Sequence, residues 1–388
     1  MTPLPQGFRG VVLASLASLA LLGTACAPKR QVESTPLFFP PAPELPRVQY
    51  LTSLSGSRDV ETQSAFDRFV VGEKQELKLD KPYGVAIHDG KIYVCDTNAS
   101  VIVFDLKRKV FESLKGGVGP GKLMQPMNIS IEPDGTKYVA DPVRGQIVVF
   151  DREDTYVKAY GEPGTWRPVD AVVLEDRIYV ADVVNHVVKV FDKQSGELIK
   201  AIGDKGEPAE RLDRPTNLAF DGDGHLYVTD FGRFQVVKFD RDGHFISAFG
   251  KPGDAPGHFA RPKGIAVDRE GRIYSVDASF NNIQVFNKDG RVLMFFGQGG
   301  EAPGGLLLPA KVTIDYDNLE YFRDYVDAGF EPEYLVLVTS QLGPNSVSVM
   351  AYGREKGKTY PTDDELLQQI EDRKQKAIEA LPKEDAPP

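Results

Sequence analysis

Cysteine is nearly missing from this chain of 388 residues: only Cys26 and Cys95 occur. Two such residues cannot supply a disulfide framework, so stability must come from a packed core. Neither lies in a CxxCH motif, which excludes a covalent haem of the chain's own. Histidine is scarce as well, with five residues, and a zinc centre needs several imidazoles converging on one point. Positive charge is in the minority. Lys and Arg total 46 against 56 Asp and Glu, a net charge of −10, which argues against nonspecific nucleic-acid binding. No Ser or Cys nucleophile sits in a recognisable catalytic motif, and Cys95 reads as a small buried hydrophobe within a strand. Long apolar runs are absent but for VVLASLASLALLG (Val11 to Gly23), which is too short to span a bilayer comfortably.

That run has the length of a secretory h-region, preceded by Arg9. GTAC (Gly23 to Cys26) follows and resembles a bacterial lipobox, which implies lipidation of Cys26 after removal of residues 1–25. Gly23 departs from the usual Leu, and ordinary cleavage after Ala27 is the competing reading. Ala27 is not acidic, which points to the outer membrane rather than inner-membrane retention. Residues 26–46 include FFPPAPELP (Phe38 to Pro46) and read as an extended, semi-rigid tether.

Repeats dominate the rest. IYVCD, KYVAD, IYVAD, LYVTD and IYSVD end at Asp96, Asp141, Asp182, Asp230 and Asp277, spaced by 45, 41, 48 and 47 residues. Each unit reads as four short strands joined by turns such as DGDG (Asp221 to Gly224). The first strand follows a proline and carries a small residue midway: Ala86, Ser130, Ala219 and Ala266. That suits an innermost strand where blades converge, and such units are propeller blades. A sixth unit runs through AKVTIDY, YLVLVTS and SVSVMAYG but lacks a fourth strand. YLTSLS (Tyr50 to Ser55) supplies it, so the first strand of the domain should latch the ring.

The pattern of proline, Gly-Val-Ala, turn, Tyr-Val-x-Asp, then VxVF resembles the NHL repeat from Val48 to Gly353. The whole resembles exported, six-bladed NHL-type lipoproteins of bacteria. The resemblance implies an all-β six-bladed propeller over residues 47–353, followed by a helical tail over 354–388. Propellers of this type include a zinc-dependent amidating lyase, RNA-binding domains and binding scaffolds, so the fold does not decide function.

The resemblance places the residues around each blade proline near the channel on one face, here termed the top. Two after each proline stand Gly84, Asn128, Asp170, Asn217, Gly264 and Lys311. Asn128, Asp170 and Asn217 on adjacent blades offer oxygen ligands that suit Ca²⁺, as in lactonase-like propellers, although the Glu those sites use has no counterpart. Alternatively, both Asn residues tolerate unusual backbone angles, and Asp170 pairs with Arg167 or Lys311. The residues directly after each proline, where the lyase family places His, are Tyr83, Met127, Val169, Thr216, Lys263 and Ala310. Of the histidines only His186 falls on the top face. The five motif aspartates read as a shared structural device holding loop amides, with Ser340 as a weaker substitute.

Charge patterning adds a partner hypothesis. Lys81, Arg167, Arg214 and Arg261 precede blade prolines, and Arg144 and Arg233 lie in top loops. A basic channel mouth would attract an anionic ligand or partner, while Asp89, Glu132, Glu175, Asp221 and Asp268 suggest an acidic underside. An insertion, Asp317 to Glu333, carries Leu319, Phe322 and Val326 at helical spacing and should cover the underside. Thr362 to Leu381 reads as a helix with a Thr362–Glu365 capping box and should dock on the propeller or another protein. The sequence therefore predicts a monomeric, lipid-anchored envelope propeller, periplasmic or surface-facing, that binds a protein or ligand without catalysis or cofactor. A Ca²⁺-dependent hydrolase or lactonase is the alternative.

Overall fold

Tyr-Val-x-Asp strands alternate side chains between two faces, and here both faces are buried, one against each neighbouring blade. The computed structural model describes residues 36–64, 69, 70, 72–98 and 100–379. Within them six antiparallel sheets form the six-bladed propeller expected from the repeats. Blade 1 comprises Pro82–His88, Lys91–Asp96, Ser100–Asp105 and Val110–Ser113, ordered from axis to rim. Blades 2 to 5 repeat this meander with inner strands Asn128–Ile131, Pro168–Leu174, Pro215–Phe220 and Pro262–Val267.

Blade 6 closes the ring. Its strands Pro309–Asp315, Phe330–Ser340 and Val347–Glu355 are joined by Val48–Leu54, which pairs Val48 with Tyr352 and Leu54 with Val347. The latch is thus where the sequence placed it. The tether is shorter than expected, because Leu37–Phe39 adds a fifth strand outside the latch. Its aromatic residues have a core to enter: Phe38 meets Phe330 at 5.5 Å and Phe39 meets Phe296 at 6.5 Å between ring centroids. Cys26 and the rest of the leader lie outside the described residues. Among the described residues no helix is long and apolar enough to cross a membrane.

Apolar burial is divided among six clusters, one at each blade interface. Each motif tyrosine buries its ring there and sends its hydroxyl toward the underside. Tyr93 reaches Asp154 of blade 2 at 3.1 Å, and Tyr179 reaches the Arg241 carbonyl of blade 4 at 3.0 Å. At the other end of the same strand the motif aspartate accepts amides from the incoming loop. Asp230 holds Asp213 N and Arg214 N, both at 2.8 Å, and Gly232 N at 3.2 Å. Asp96, Asp141, Asp182 and Asp277 make the corresponding bonds. In blade 6 Ser340 Oγ accepts one amide, Leu307 N, at 3.3 Å.

The insertion forms a 3-10 helix, Leu319–Tyr325, with Phe322 buried beneath blades 6 and 1. Asn318 Oδ1 pins it by accepting Gly90 N at 2.7 Å. The C-terminal helix spans Asp363–Glu379, and its capping box is present: Thr362 N donates to Glu365 Oε2 at 2.8 Å, and Glu365 N to Thr362 Oγ1 at 3.3 Å. Leu366 and Leu367 dock its first turns on the blade 5–6 core, and Asp363 pairs with Arg272 at 3.0 Å.

Removing the carboxylate of Asp230 strands three amides. Asp230→Ala should therefore cost about 2–4 kcal/mol in denaturant unfolding, whereas Ser340→Ala, which frees one amide, should cost about 1 kcal/mol. Equal losses would show that the two groups are not counterparts.

Candidate functional site: a sealed polar plug under a basic face

The inner strands bring the residues that follow the blade prolines to the axis in stacked tiers. Tyr83 and Lys263 form the outer tier. The Lys263 ammonium lies over the Tyr83 ring, 5.0 Å from its centroid, and donates to Gln341 Oε1 at 2.8 Å. Burial, reinforced by the charges of Arg261 and Lys81, pulls the Lys263 pKa down to about 8. The interest of Lys263 and Tyr83 as an axial pair was missed in the sequence, because the residues lie 180 positions apart on blades 5 and 1.

Beneath them sits the tier expected to be a ligand mouth. It is not a mouth. Asn128, Asp170, Asn217 and Lys311 are all buried. Asp170 of blade 3 and Lys311 of blade 6 face each other across the ring, and Lys311 Nζ donates to Asp170 Oδ2 at 2.9 Å. The same oxygen accepts Leu218 N at 3.0 Å and Asn217 Nδ2 at 3.4 Å, while Asp170 Oδ1 accepts Ala171 N at 3.0 Å. Asn128 Nδ2 donates to the Val169 carbonyl at 2.8 Å. The Oδ1 atoms of Asn128 and Asn217 are buried without a partner among the described residues. Neither Asn adopts a positive φ, so tolerance of unusual backbone angles is not why they replace Gly. The glycines answer a different constraint. A Cβ on Gly84 would lie 2.6 Å from Asn128 Cα, and one on Gly264 would lie 2.6 Å from Lys311 Cα.

This tier does not fit Ca²⁺. A calcium site gathers several anionic or carbonyl oxygens around the ion. Here the donors are the Oδ1 atoms of Asn128 and Asn217 and one carboxylate, and a lysine ammonium already occupies the place a cation would take beside that carboxylate. A second grouping, Asp221, Asp223 and His225, brings ligand atoms within 4.8 Å of one another in a hairpin turn. Its central carboxylate is saturated by the turn itself, taking Asp223 N, His225 N, His225 Nδ1 and Tyr227 OH. Asp240 and His244 repeat that turn without a third ligand. Cys95 is fully buried, and burial first of all pushes its thiol well above the usual range, so it presents no thiolate.

The cations divide into two sets. Arg144 Nη1 donates to the Lys122 carbonyl at 2.7 Å, and Arg233 Nη1 to that of Pro208 at 2.8 Å, so both brace top loops. Exposed His186 faces Asp213 at 3.5 Å. Lys81, Arg167, Arg214 and Arg261 are exposed, and none forms an ion pair with a described residue. Arg214 lies over Phe231, 5.6 Å from its centroid, rather than pairing with Asp213 or Glu210. The underside is less acidic than the sequence suggests, because neighbouring turns supply counter-charges. Glu132 pairs with Lys193 at 2.6 Å, Glu175 with Arg241 at 2.8 Å and Asp268 with Arg272 at 3.3 Å.

Comparison with known proteins supports the architecture. Residues 212–290 match a family described as 6-bladed beta-propeller. A segment of 102 residues is 26% identical to a probable peptidyl-alpha-hydroxyglycine alpha-amidating lyase of Caenorhabditis elegans, covering 25% of this chain and 29% of that protein. The chain thus spans less than a third of that relative. A gluconolactonase from Xanthomonas campestris superposes with a TM-score of 0.53 at 15% identity, over 82% of this chain and 96% of its own. A streptogramin B lyase gives 0.50 at 13% identity, over 74% and 85%. At such identities these structures share the fold alone.

Two outcomes test the plug. Asp170→Ala or Lys311→Met alone strands a buried charge and should cost about 3–5 kcal/mol, while the double variant Asp170→Asn/Lys311→Met should recover most of the loss. For Lys263 the folded pKa of about 8 lies below the ordinary 10.5. Between those values only the unfolded chain keeps the proton, so stability rises with pH across that window. Lys263→Met should remove a rise on the order of 3 kcal/mol from the pH dependence of unfolding.

Proposed function

We propose that this protein is a non-catalytic binding platform, exported and held at the cell envelope by a lipid on Cys26, whose top face docks an anionic protein partner. The observation that carries the reading is the Lys311–Asp170 pair at 2.9 Å. It supports a platform because the one axial carboxylate that a metal-dependent hydrolase would use is already neutralised by a lysine. The face above it offers Lys81, Arg167, Arg214 and Arg261, cations that form no ion pair with a described residue, on a rigid ring. Exposed Val143 and Val184 in the top loops add apolar contact area. Such a mixture of guanidinium and apolar groups suits protein recognition, where charge steers encounter and apolar groups add contact. The Caenorhabditis elegans relative is a probable lyase, yet the positions directly after the blade prolines hold no His. The gluconolactonase likeness is in fold alone, and the axial tier does not fit Ca²⁺.

The test is cross-linking in the native envelope followed by identification of whatever is joined to the chain. A specific partner should be captured, and Arg214→Glu/Arg261→Glu should reduce its capture at least tenfold, with the loss mimicked by raised salt. Capture that ignores both changes would rule out the basic face. Cys26→Ser should move the chain from the lipid-modified membrane fraction. An unmodified Cys26 in the wild-type chain would remove the anchor from the proposal.

A further inference from the structure

The two ends of the axis differ in how their charges are met. The underside opens into a cavity of about 670 Å³, and charges around its rim answer each other: Lys107 pairs with Asp89, and Glu132 with Lys193. The top has no such balance. Lys263 stands at the axis, 8% exposed, so it is recessed but not sealed. Its ammonium makes one hydrogen bond with a described residue, to the neutral Gln341 Oε1 at 2.8 Å, and lies over the Tyr83 ring. An ammonium has three protons to give, so two are left. The neighbouring charges that act on it are those of Arg261 and Lys81, both positive. No described carboxylate pairs with any of the three. Asp170, in the tier below, is already taken by Lys311 at 2.9 Å. Buried cations are ordinarily paired, because water no longer solvates them.

We propose that Lys263 is the anchor for one carboxylate, an acidic side chain that the docking partner inserts at the axis, with Arg261 and Lys81 flanking it. The proposal rests on the docking reading and gives that face a centre. The two remaining protons of the ammonium match the two oxygens of a carboxylate, and charge-assisted bonds of this kind are among the stronger ones. A recessed position keeps out competing water, which strengthens the attraction. A neutral amide of the same shape brings no charge to the three cations, so the site discriminates Glu from Gln. Binding and protonation are linked. Burial, with the charges of Arg261 and Lys81, disfavours the Lys263 proton and brings its pKa to about 8. A bound carboxylate favours that proton, so binding takes up protons above pH 8 and weakens as pH rises. Tyr83 does not titrate in that range, because burial first and Asp170 second push its hydroxyl up.

Matched peptides test it on the full chain: acetyl-Gly-Glu-Gly-amide against acetyl-Gly-Gln-Gly-amide, titrated in low-chloride buffer while the side-chain resonances of isotope-labelled lysines are followed by NMR. At pH 7 the Glu peptide should bind one site about tenfold more tightly than the Gln peptide, with acetate competing. Raising the pH to 9.5 should weaken the Glu peptide about fivefold or more, and saturating peptide should move the Lys263 titration midpoint upward. Lys263→Met removes a buried charge and should abolish the discrimination. Arg261→Gln, at an exposed position, should weaken the Glu peptide about threefold and serves if the Met variant unfolds. No saturable binding of the Glu peptide, equal binding of the two peptides, affinity indifferent to both substitutions, or an unmoved Lys263 midpoint would each overturn the proposal. The peptides need no native partner. Failed capture in the envelope with the discrimination intact would strike the docking role alone, and successful capture without discrimination would strike the anchor alone.

Discussion

A buried carboxylate gripping backbone amides organises this molecule, and it recurs in five of the six blades. Each motif aspartate ends the second strand and accepts the N–H of the residue before the blade proline: Lys81, Gln125, Arg167, Arg214 or Arg261. Bonds from an ionised acceptor are among the stronger ones available, and several together repay the burial of the charge. The next residue is a proline, which has no N–H to contribute to a ladder, so the inner strand starts at a fixed phase. That phase decides which residues reach the axis. The clamp therefore builds the ring and lines the channel. It also leaves the side chain of the clamped residue exposed, which in four blades is a lysine or arginine. Structure and basic face come from one device.

Blade 6 departs from the rule and shows what the rule supplies. Ser340 replaces the aspartate and holds one amide, and Leu308 N is taken by Asn281 Oδ1 at 2.9 Å instead. Compensation comes from side-chain bonds across the seam. Thr313 Oγ1 donates to the Val85 carbonyl at 2.7 Å, Thr339 Oγ1 donates to that of Tyr83, and the Val48–Leu54 strand closes the sheet. The axial pair adds a link between opposite blades that neighbour-to-neighbour packing cannot make. In sealing one end of the channel it also separates the two faces, leaving the top a charged surface and the underside the opening of a cavity.

The propeller was legible because a repeated signal rises above local ambiguity. Five copies of Tyr-Val-x-Asp at steady spacing specify strand, phase and blade together, and the sixth unit's missing strand pointed to Tyr50–Ser55. The structural role of the aspartates was legible for the same reason. The axial residues were only half legible. Asn128, Asp170, Asn217 and Lys311 share one position two residues after the blade prolines and read as a channel mouth, whereas the structure buries all four. Nothing local to Val169-Asp170-Ala171 reveals that Tyr83 and Lys263 cover it. The tether went wrong from Leu37 onward because proline-rich composition reads as extended chain, and the aromatic partners Phe296 and Phe330 lie far away in sequence.

Sequence by itself determined the class of fold, the number of blades, the latch, the capped terminal helix and the scarcity of catalytic groups. These follow from short-range periodicity, repeated many times, and from composition. Only the tertiary structure decided that Asp170 meets Lys311, that Arg233 and Arg144 brace loops while Arg214 and Arg261 stay unpaired among the described residues, and which end of the channel is open. Each of those depends on residues separated by whole blades. Their distances are set by closing the ring, and no local pattern along the chain encodes that closure residue by residue.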